Sequence, residues 1–181
     1  CEPCDAGKYS NNNKALSKDA CSPCEEGKYQ SLIGQTECSD SPPGGSVNDT
    51  GMDSYKQCDP GQFQVDKGQN ESCKLCPAGK YQNGNGAAFC ESCPVGKYSE
   101  VEGQLNDTSC EDCPVGRFSN ITGTTECTSC QTGKYQDNTG QIECEYCPDG
   151  FESTEGLTEC QEAMLETNFF DLIFGGSGED L

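Results

Sequence analysis

The sequence contains no histidine and no tryptophan, and its 31 acidic residues far outnumber its 11 basic ones. Without histidine, a nucleophile elbow or paired carboxylates in an apolar setting, it offers none of the usual residue sets for catalysis. The formal net charge of −20 leaves no basic patch for phosphate contacts, which excludes nucleic-acid binding. We therefore expect neither an enzyme nor a nucleic-acid-binding protein.

Apolar residues are also scarce, at 31% of the chain, and no apolar run is long enough to span a bilayer. Burial of so little apolar surface cannot offset the conformational entropy lost on folding. The 17 cysteines are the expected compensation, because disulfides stabilise small domains in oxidising compartments. The composition predicts an extracellular protein, secreted or on a cell surface. The lack of a leading secretion signal further predicts an internal or processed piece of a longer protein.

A short phrase recurs along the chain: cysteine, two variable residues, glycine, a basic residue and an aromatic, as in residues 76–81 (CPAGKY). We call the cysteine that begins each phrase the opening cysteine and the next one the closing cysteine. A second glycine precedes the closing cysteine, by four residues in most copies, and a C-x-x-C pair joins consecutive copies. This period predicts tandem repeats. The expected organisation is 1–3 as the end of an upstream repeat, 161–181 as a separate tail, and nine repeats at 4–21, 24–38, 41–55, 58–73, 76–90, 93–110, 113–127, 130–144 and 147–160.

The third repeat decides the disulfide pairing, because it has lost two cysteines together. Ser41 and Tyr55 stand where its opening and closing cysteines belong. If the two cysteines of one repeat are bonded to each other, losing both leaves no unpaired thiol. Cys1 is then left over, in the closing position of an upstream repeat. The predicted bonds are Cys4–Cys21, Cys24–Cys38, Cys58–Cys73, Cys76–Cys90, Cys93–Cys110, Cys113–Cys127, Cys130–Cys144 and Cys147–Cys160.

Two other uses of the cysteines fit less well. Zinc sites built from pairs of C-x-x-C motifs would be broken by the defect in the third repeat, and no histidine is available as a ligand. Redox chemistry would need a helix N-terminus to lower a thiol pKa, whereas the flanks are rich in glycine and proline. The acidic residues are scattered and form no calcium-binding loop. We expect no metal and no cofactor.

Each repeat is predicted to be a small irregular β-hairpin closed by one disulfide. The residues after the first glycine and those just before the closing cysteine are the two expected extended segments. One aromatic per repeat is too little for a core, so we expect it to pack against the disulfide of the neighbouring repeat. The predicted fold class is small and disulfide-rich, with tandem hairpin repeats stacked into an elongated rod and no large hydrophobic core.

The phrase Cys-x-x-Gly-Lys-Tyr, followed by Cys-x-x-Cys-Pro, resembles the ephrin-receptor-like cysteine-rich repeat of large extracellular proteins. It is also similar to the first submodule of tumour necrosis factor receptor cysteine-rich domains, which implies the same bond from each opening cysteine to the next cysteine. The resemblance extends from Cys4 to Cys160 and departs from the pattern in the third and ninth repeats. Because a fold does not carry a function, the resemblance specifies the module and implies no ligand.

Two further features bear on function. Four N-x-[ST] sequons predict N-glycans on Asn48, Asn70, Asn106 and Asn120. The tail holds the most apolar stretch of the chain, which predicts either the start of another domain or a segment that docks on another subunit. The expected contact residues are Phe169, Phe170, Leu172, Ile173 and Phe174. From this we expect a structural extracellular glycoprotein that self-associates into a filament, surface hair or matrix; the alternative is the stalk or ligand-binding ectodomain of a receptor or adhesion protein.

Overall fold

The computed structural model describes residues 2–11 and 20–163. In these ranges the regular structure includes a series of two-residue strands, paired two by two in chain order into antiparallel hairpins, and a 3₁₀ helix at Asp107–Ser109. The nine hairpins are β1 (Lys8–Tyr9) with β2 (Ser22–Pro23), β3 (Lys28–Tyr29) with β4 (Ser39–Asp40), β5 (Gly45–Ser46) with β6 (Lys56–Gln57), β7 (Gln62–Phe63) with β8 (Lys74–Leu75), β9 (Lys80–Tyr81) with β10 (Glu91–Ser92), β11 (Lys97–Tyr98) with β12 (Glu111–Asp112), β13 (Arg117–Phe118) with β14 (Thr128–Ser129), β15 (Lys134–Tyr135) with β16 (Glu145–Tyr146), and β17 (Phe151–Glu152) with β18 (Gln161–Glu162).

The second strand of each hairpin differs from the one expected. It directly follows the closing position of the repeat, and in six of the nine hairpins it consists of the two residues inside a C-x-x-C pair, as in the pairing of Tyr81 with Glu91. The reason is visible at the next opening cysteine, whose N–H donates to the carbonyl of the first glycine, as from Cys93 to Gly79. The C-x-x-C segment is thus the strand that joins one repeat to the next.

The structure contains eight disulfides, and each joins the opening and closing cysteines of one repeat. The bonded cysteines are 13 to 17 residues apart in sequence. Five opening cysteines are completely buried, namely Cys24, Cys76, Cys93, Cys113 and Cys130. Apart from Val47, every buried hydrophobic residue in the described part of the chain is a cysteine. The disulfides are therefore the core of this fold.

Neighbouring repeats are joined by a recurrent set of four backbone hydrogen bonds. Between repeats 6 and 7, Gly96 N donates to Ser119 O, Ser99 N to Thr124 O, Gly123 N to Cys93 O, and Cys113 N to Gly96 O. The equivalent four bonds occur at all eight interfaces between repeats 1 and 9, with donor–acceptor distances of 2.7–3.3 Å. We call this set the backbone ladder. It satisfies turn groups that would otherwise be left unpaired, and it stacks the repeats in one dimension.

A row of polar side chains is buried along the stack, directly after the second residue of the first strand of each hairpin. The position is glutamine or serine in every repeat except the third, where it is Val47. Gln82 shows how the amide is used, because Nε2 donates to Phe89 O at 2.8 Å and Oε1 accepts from Gly84 N at 2.9 Å. Gln30 and Gln136 make the same two bonds in their own loops. In these three repeats the buried glutamine holds its own loop in shape from the inside.

The third repeat replaces its disulfide by packing. Ser41 is fully buried, and its Oγ accepts a hydrogen bond from Gln69 N at 3.2 Å. The Tyr55 ring lies against Gly45, which occupies a position that is lysine in most other repeats and has no side chain to obstruct it. Tyr55 also contacts Tyr29 of the second repeat, with ring centroids 5.2 Å apart and an interplanar angle of 58°. Loss of the two cysteines is thus compensated by a tilted aromatic pair.

This compensation gives a testable expectation for Tyr55→Ala. The ring is half-buried, so losing its contacts with Tyr29 and Gly45 should reduce the free energy of unfolding by about 1–3 kcal/mol. Chemical denaturation of the oxidised protein would measure the change. Tyr55→Phe, which keeps the ring, serves as the control and should remain close to wild type. Equal stability of the alanine variant and the wild type would contradict a structural role for the aromatic pair.

Candidate functional site

One side-chain contact recurs on the surface of several hairpins. In three hairpins the tyrosine of the first strand donates its hydroxyl hydrogen to the glutamate opposite: Tyr81 to Glu91 at 3.0 Å, Tyr98 to Glu111 at 3.2 Å, and Tyr135 to Glu145 at 3.2 Å. The glutamate is the first residue after the closing cysteine, so the hairpin register places it there. These pairs are exposed and tie the two short strands together from outside.

The glutamates raise the pKa of their tyrosine partners above the ordinary value. For Tyr81 the main cause is the hydrogen bond to Glu91, followed by burial and by repulsion between a phenolate and that carboxylate. For Tyr135 the hydrogen bond to Glu145 is again first, and for Tyr98 burial precedes the bond to Glu111. Because the protonated phenol is favoured in the folded state, its contribution to stability is present below about pH 10 and is lost as the pH rises through the raised pKa.

We accordingly expect Glu91→Gln to lower the pKa of Tyr81 toward its ordinary value. The glutamine keeps a hydrogen-bond acceptor but removes the negative charge that opposes phenolate formation. Titration of ¹³C-labelled tyrosine by NMR above pH 9 would resolve the individual rings. Tyr98, whose partner Glu111 is intact in this variant, is the internal control. If the Tyr81 titration is unchanged, the hydrogen bond does not exist in solution.

A groove of ≈ 420 Å³ lies on the surface between repeats 7 and 8. Its apolar part is contributed by Phe118 and Ile142, and its polar part by hydroxyl, amide and charged side chains. The residues that line it are Phe118, Asn120, Thr128, Ser129, Gln131, Lys134, Ile142, Glu143 and Cys144. The mixture of one aromatic face with several hydrogen-bonding groups suits a polar ligand that has an apolar face.

The aromatic residues lie close to the closing position of the following repeat. Phe118 of repeat 7 lines the groove together with Cys144, the closing cysteine of repeat 8. Tyr98 and Cys127 share a smaller groove in the same way. In the third repeat the closing position is Tyr55, and Tyr29 of the preceding repeat contacts it directly. This arrangement accounts for the one aromatic that occurs in most repeats.

The predicted glycosylation sites are distributed along the stack. Asn48, Asn70 and Asn120 are exposed. Asn106 is half-buried at the start of the 3₁₀ helix, where its Oδ1 accepts from Ser109 N at 3.1 Å and from Thr108 Oγ1 at 2.6 Å. Those bonds use the oxygen and leave Nδ2, the atom that carries a sugar, outside them. Glycosylation at the four positions remains a prediction.

The remaining expectations from the sequence concern the apolar tail, the leftover cysteine, metal ions and membrane spans. The apolar tail with Phe169, Phe170, Leu172, Ile173 and Phe174, and the leftover Cys1, lie outside the described residues. Within the described ranges, no group of three or more potential ligand side chains could hold a metal ion. No helix in that part of the chain is long and apolar enough to cross a membrane. The buried glutamine and serine row was not anticipated, although its period is visible in the printed sequence.

The repeats match a known family along most of the chain. The profile described as "Tyrosine-protein kinase ephrin type A/B receptor-like" matches residues 14–58, 61–110, 79–126 and 116–160. The chain belongs to this ephrin receptor-like family. A search of curated proteins found no significant match. The expected resemblance is therefore confirmed.

Membership of the ephrin receptor-like family narrows the functional alternatives. Its repeats are non-catalytic modules of extracellular domains. The match agrees better with a receptor-type or other cysteine-rich ectodomain than with a filament subunit, for which it gives no support. The small disulfide-rich fold of tandem hairpins is confirmed as well, with almost no helix in the described ranges.

Proposed function

We propose that the chain is a stalk segment in the ectodomain of a cell-surface receptor or adhesion protein. The observation that carries this proposal is the backbone ladder, whose four bonds recur without interruption at eight successive interfaces. A stalk must transmit position from one end to the other, and continuous backbone bonding between neighbours resists bending better than flexible linkers do. The ladder persists through the third repeat, so the missing disulfide leaves no hinge there.

The charged surface of the repeats is what we expect of a spacer that stays in solution. The net charge of −20 keeps neighbouring molecules apart by electrostatic repulsion. Hydrated glycans at the four sequons would keep them apart sterically as well. Ion pairs on this surface are solvent-accessible, as in the cross-strand pair Lys97–Asp112 at 2.6 Å and the inter-repeat pair Lys67–Asp40 at 3.2 Å. Exposed pairs of this kind contribute little free energy, so they help orient side chains without attracting a partner strongly. Binding rather than catalysis is the activity we assign to the whole ectodomain.

The test compares the recombinant oxidised chain with a shortened variant. Deleting residues 76–112 removes repeats 5 and 6 and leaves every other disulfide pair intact. Light scattering should show monomers of both proteins, and small-angle X-ray scattering should show a maximum dimension that decreases in proportion to the repeats removed. A compact shape for the full chain would overturn the stalk proposal. Formation of ordered polymers would favour the filament alternative, and self-association through Phe169–Phe174 remains a prediction until that measurement.

A second experiment addresses the cell surface. An antibody raised against the repeats should label intact, unpermeabilised cells of the source organism, and protease added outside the cells should remove the signal. Labelling confined to the culture medium would instead indicate a secreted protein. Labelling only after permeabilisation would contradict an extracellular location altogether.

A further inference from the structure

The groove between repeats 7 and 8 has a sequon asparagine at its edge. Asn120 lies in the sequence Asn120-Ile121-Thr122, and both Asn120 and Phe118 line the groove. Phe118 is the last residue of β13, two positions before Asn120. Because alternate residues of an extended segment point to the same side, the aromatic ring and the asparagine side chain share one face. A substituent on Nδ2 of Asn120 therefore starts directly beside an aromatic ring.

We propose that this groove holds the first sugars of an N-linked glycan attached to Asn120. The N-acetylhexosamine that begins such a glycan has one face of axial C–H groups, which packs favourably on an aromatic ring, and a rim of hydroxyl and amide groups. Phe118 offers the ring, and Ile142, which is 49% exposed, extends the apolar surface. Lys134, Gln131 and Glu143 supply hydrogen-bonding partners around it. The occupant needs no affinity of its own, since attachment to Asn120 keeps its local concentration high.

The attachment is a group transfer from a lipid-pyrophosphate oligosaccharide. Nδ2 of Asn120 forms a bond to C1 of the first sugar, the bond from C1 to the pyrophosphate oxygen breaks, and one amide proton leaves with the lipid pyrophosphate. The inference rests on the proposed extracellular function, because such transfer occurs on proteins that enter the secretory route.

The other sequons provide an internal comparison. Asn48 occupies the same place in its repeat as Asn120, and it also lines a groove, of ≈ 230 Å³. The residues two positions before the sequon asparagines are Ser46, Gly68 and Gln104 at the other three sites, so none of these offers an aromatic ring. The groove at Asn48 is lined by Ser46, Asn48, Lys56, Gln57, Gln62, Ser72 and Cys73. A glycan on Asn48 is thus the matched case without the aromatic platform.

The experiment uses the full chain secreted from a eukaryotic host, with its glycans in place. An endoglycosidase that cuts between the first two sugars is applied under native conditions, and site occupancy is followed by peptide mass spectrometry. Cleavage at Asn120 should be about tenfold slower than at Asn48, a factor typical of one aromatic stacking contact. Denaturation should abolish the difference, and so should Phe118→Ala. If that variant does not fold, ring-current shifts of the first sugar's protons in wild-type NMR spectra give the same information.

Three results would overturn the inference. Equal native cleavage rates at Asn120 and Asn48, with no ring-current shifts, would show that the sugars do not enter the groove. An unmodified Asn120 beside a modified Asn48, Asn70 or Asn106 would refute the inference while leaving the extracellular proposal standing. Absence of glycans at all four sites in native protein would remove the premise as well, and would count against the secretory origin itself.

Discussion

Reduction of the disulfides should unfold the whole described array under otherwise native conditions. The buried hydrophobic side chains in that part of the protein are ten cysteines and Val47, so cleaving the S–S bonds leaves almost no apolar burial. Each bond closes a loop of 13 to 17 residues, for which loop entropy predicts about 3 kcal/mol of stabilisation. Circular dichroism during reduction should show complete loss of the native signal, and trapping of free thiols should show no stable, half-reduced array.

Removing a single bond allows the contribution of one repeat to be measured. In the double variant Cys113→Ser with Cys127→Ser, the free energy of unfolding should fall by about 2–5 kcal/mol, as is typical when a native disulfide is removed from a small secreted domain. The opposite change, Ser41→Cys with Tyr55→Cys, is the control, because it restores the pattern of the other repeats and should form a ninth bond detectable by mass. Survival of native hydrogen-exchange protection after full reduction would show that the backbone ladder, rather than the disulfides, stabilises the fold.

The disulfide pairing and the repeat period could be predicted from the sequence because cysteines recur at fixed positions and the two partners of a bond are lost together. Losing two cysteines at Ser41 and Tyr55 left no unpaired partner, and the structure has the bonds that follow from this. The second strand of each hairpin could not be located in the same way. Strands of two residues have no alternation to detect, and their pairing is set by where the next opening cysteine bonds, as in Cys93 N to Gly79 O.

The contacts between repeats could not be predicted from the sequence, for a different reason. The ladder joins main-chain atoms, and these are the same whatever side chain a residue has. Its visible consequence is the pair of glycines in every repeat but the first, since glycine is the residue that lets two backbones approach most closely. The groove at Asn120 likewise depends on Ile142 and Cys144 from the next repeat, which sequence spacing alone does not place beside Phe118.

The glycines also connect repeats that are not adjacent. The first glycine of a repeat lies against the second glycine of the repeat two positions later, as Gly96 of repeat 6 does against Gly140 of repeat 8. A Cβ atom at Gly96 would overlap the carbonyl group of Gly140. Gly96 also has a φ of 76°, in the left-handed region that L-residues avoid. Both constraints require glycine at this position.

Gly96→Ala should therefore be strongly destabilising. The left-handed conformation costs a residue with a Cβ about 1–2 kcal/mol, and the overlap with backbone that cannot rotate away adds about 1–3 kcal/mol. The loss should be spread along the stack, because displacing repeat 8 breaks the bond from Gly140 N to Cys113 O, which is 2.8 Å long. Chemical denaturation would measure the total, and hydrogen exchange at the Gly140 amide would locate the break.

Substitutions at two other glycines allow the two costs at Gly96, the left-handed backbone and the steric overlap, to be measured separately. Gly133 has a φ of 81° and makes the same ladder bonds, but nothing in the described part of the chain lies within 4 Å of its added Cβ. Gly133→Ala should thus show the conformational cost alone, about 1–2 kcal/mol. Gly84 lacks the positive φ, and the nearest atom to its Cβ is Gln82 Oε1 at 3.5 Å, so Gly84→Ala should be neutral. If Gly96→Ala is no worse than Gly133→Ala, repeats two apart do not touch in solution, and the stack is held by nearest neighbours alone.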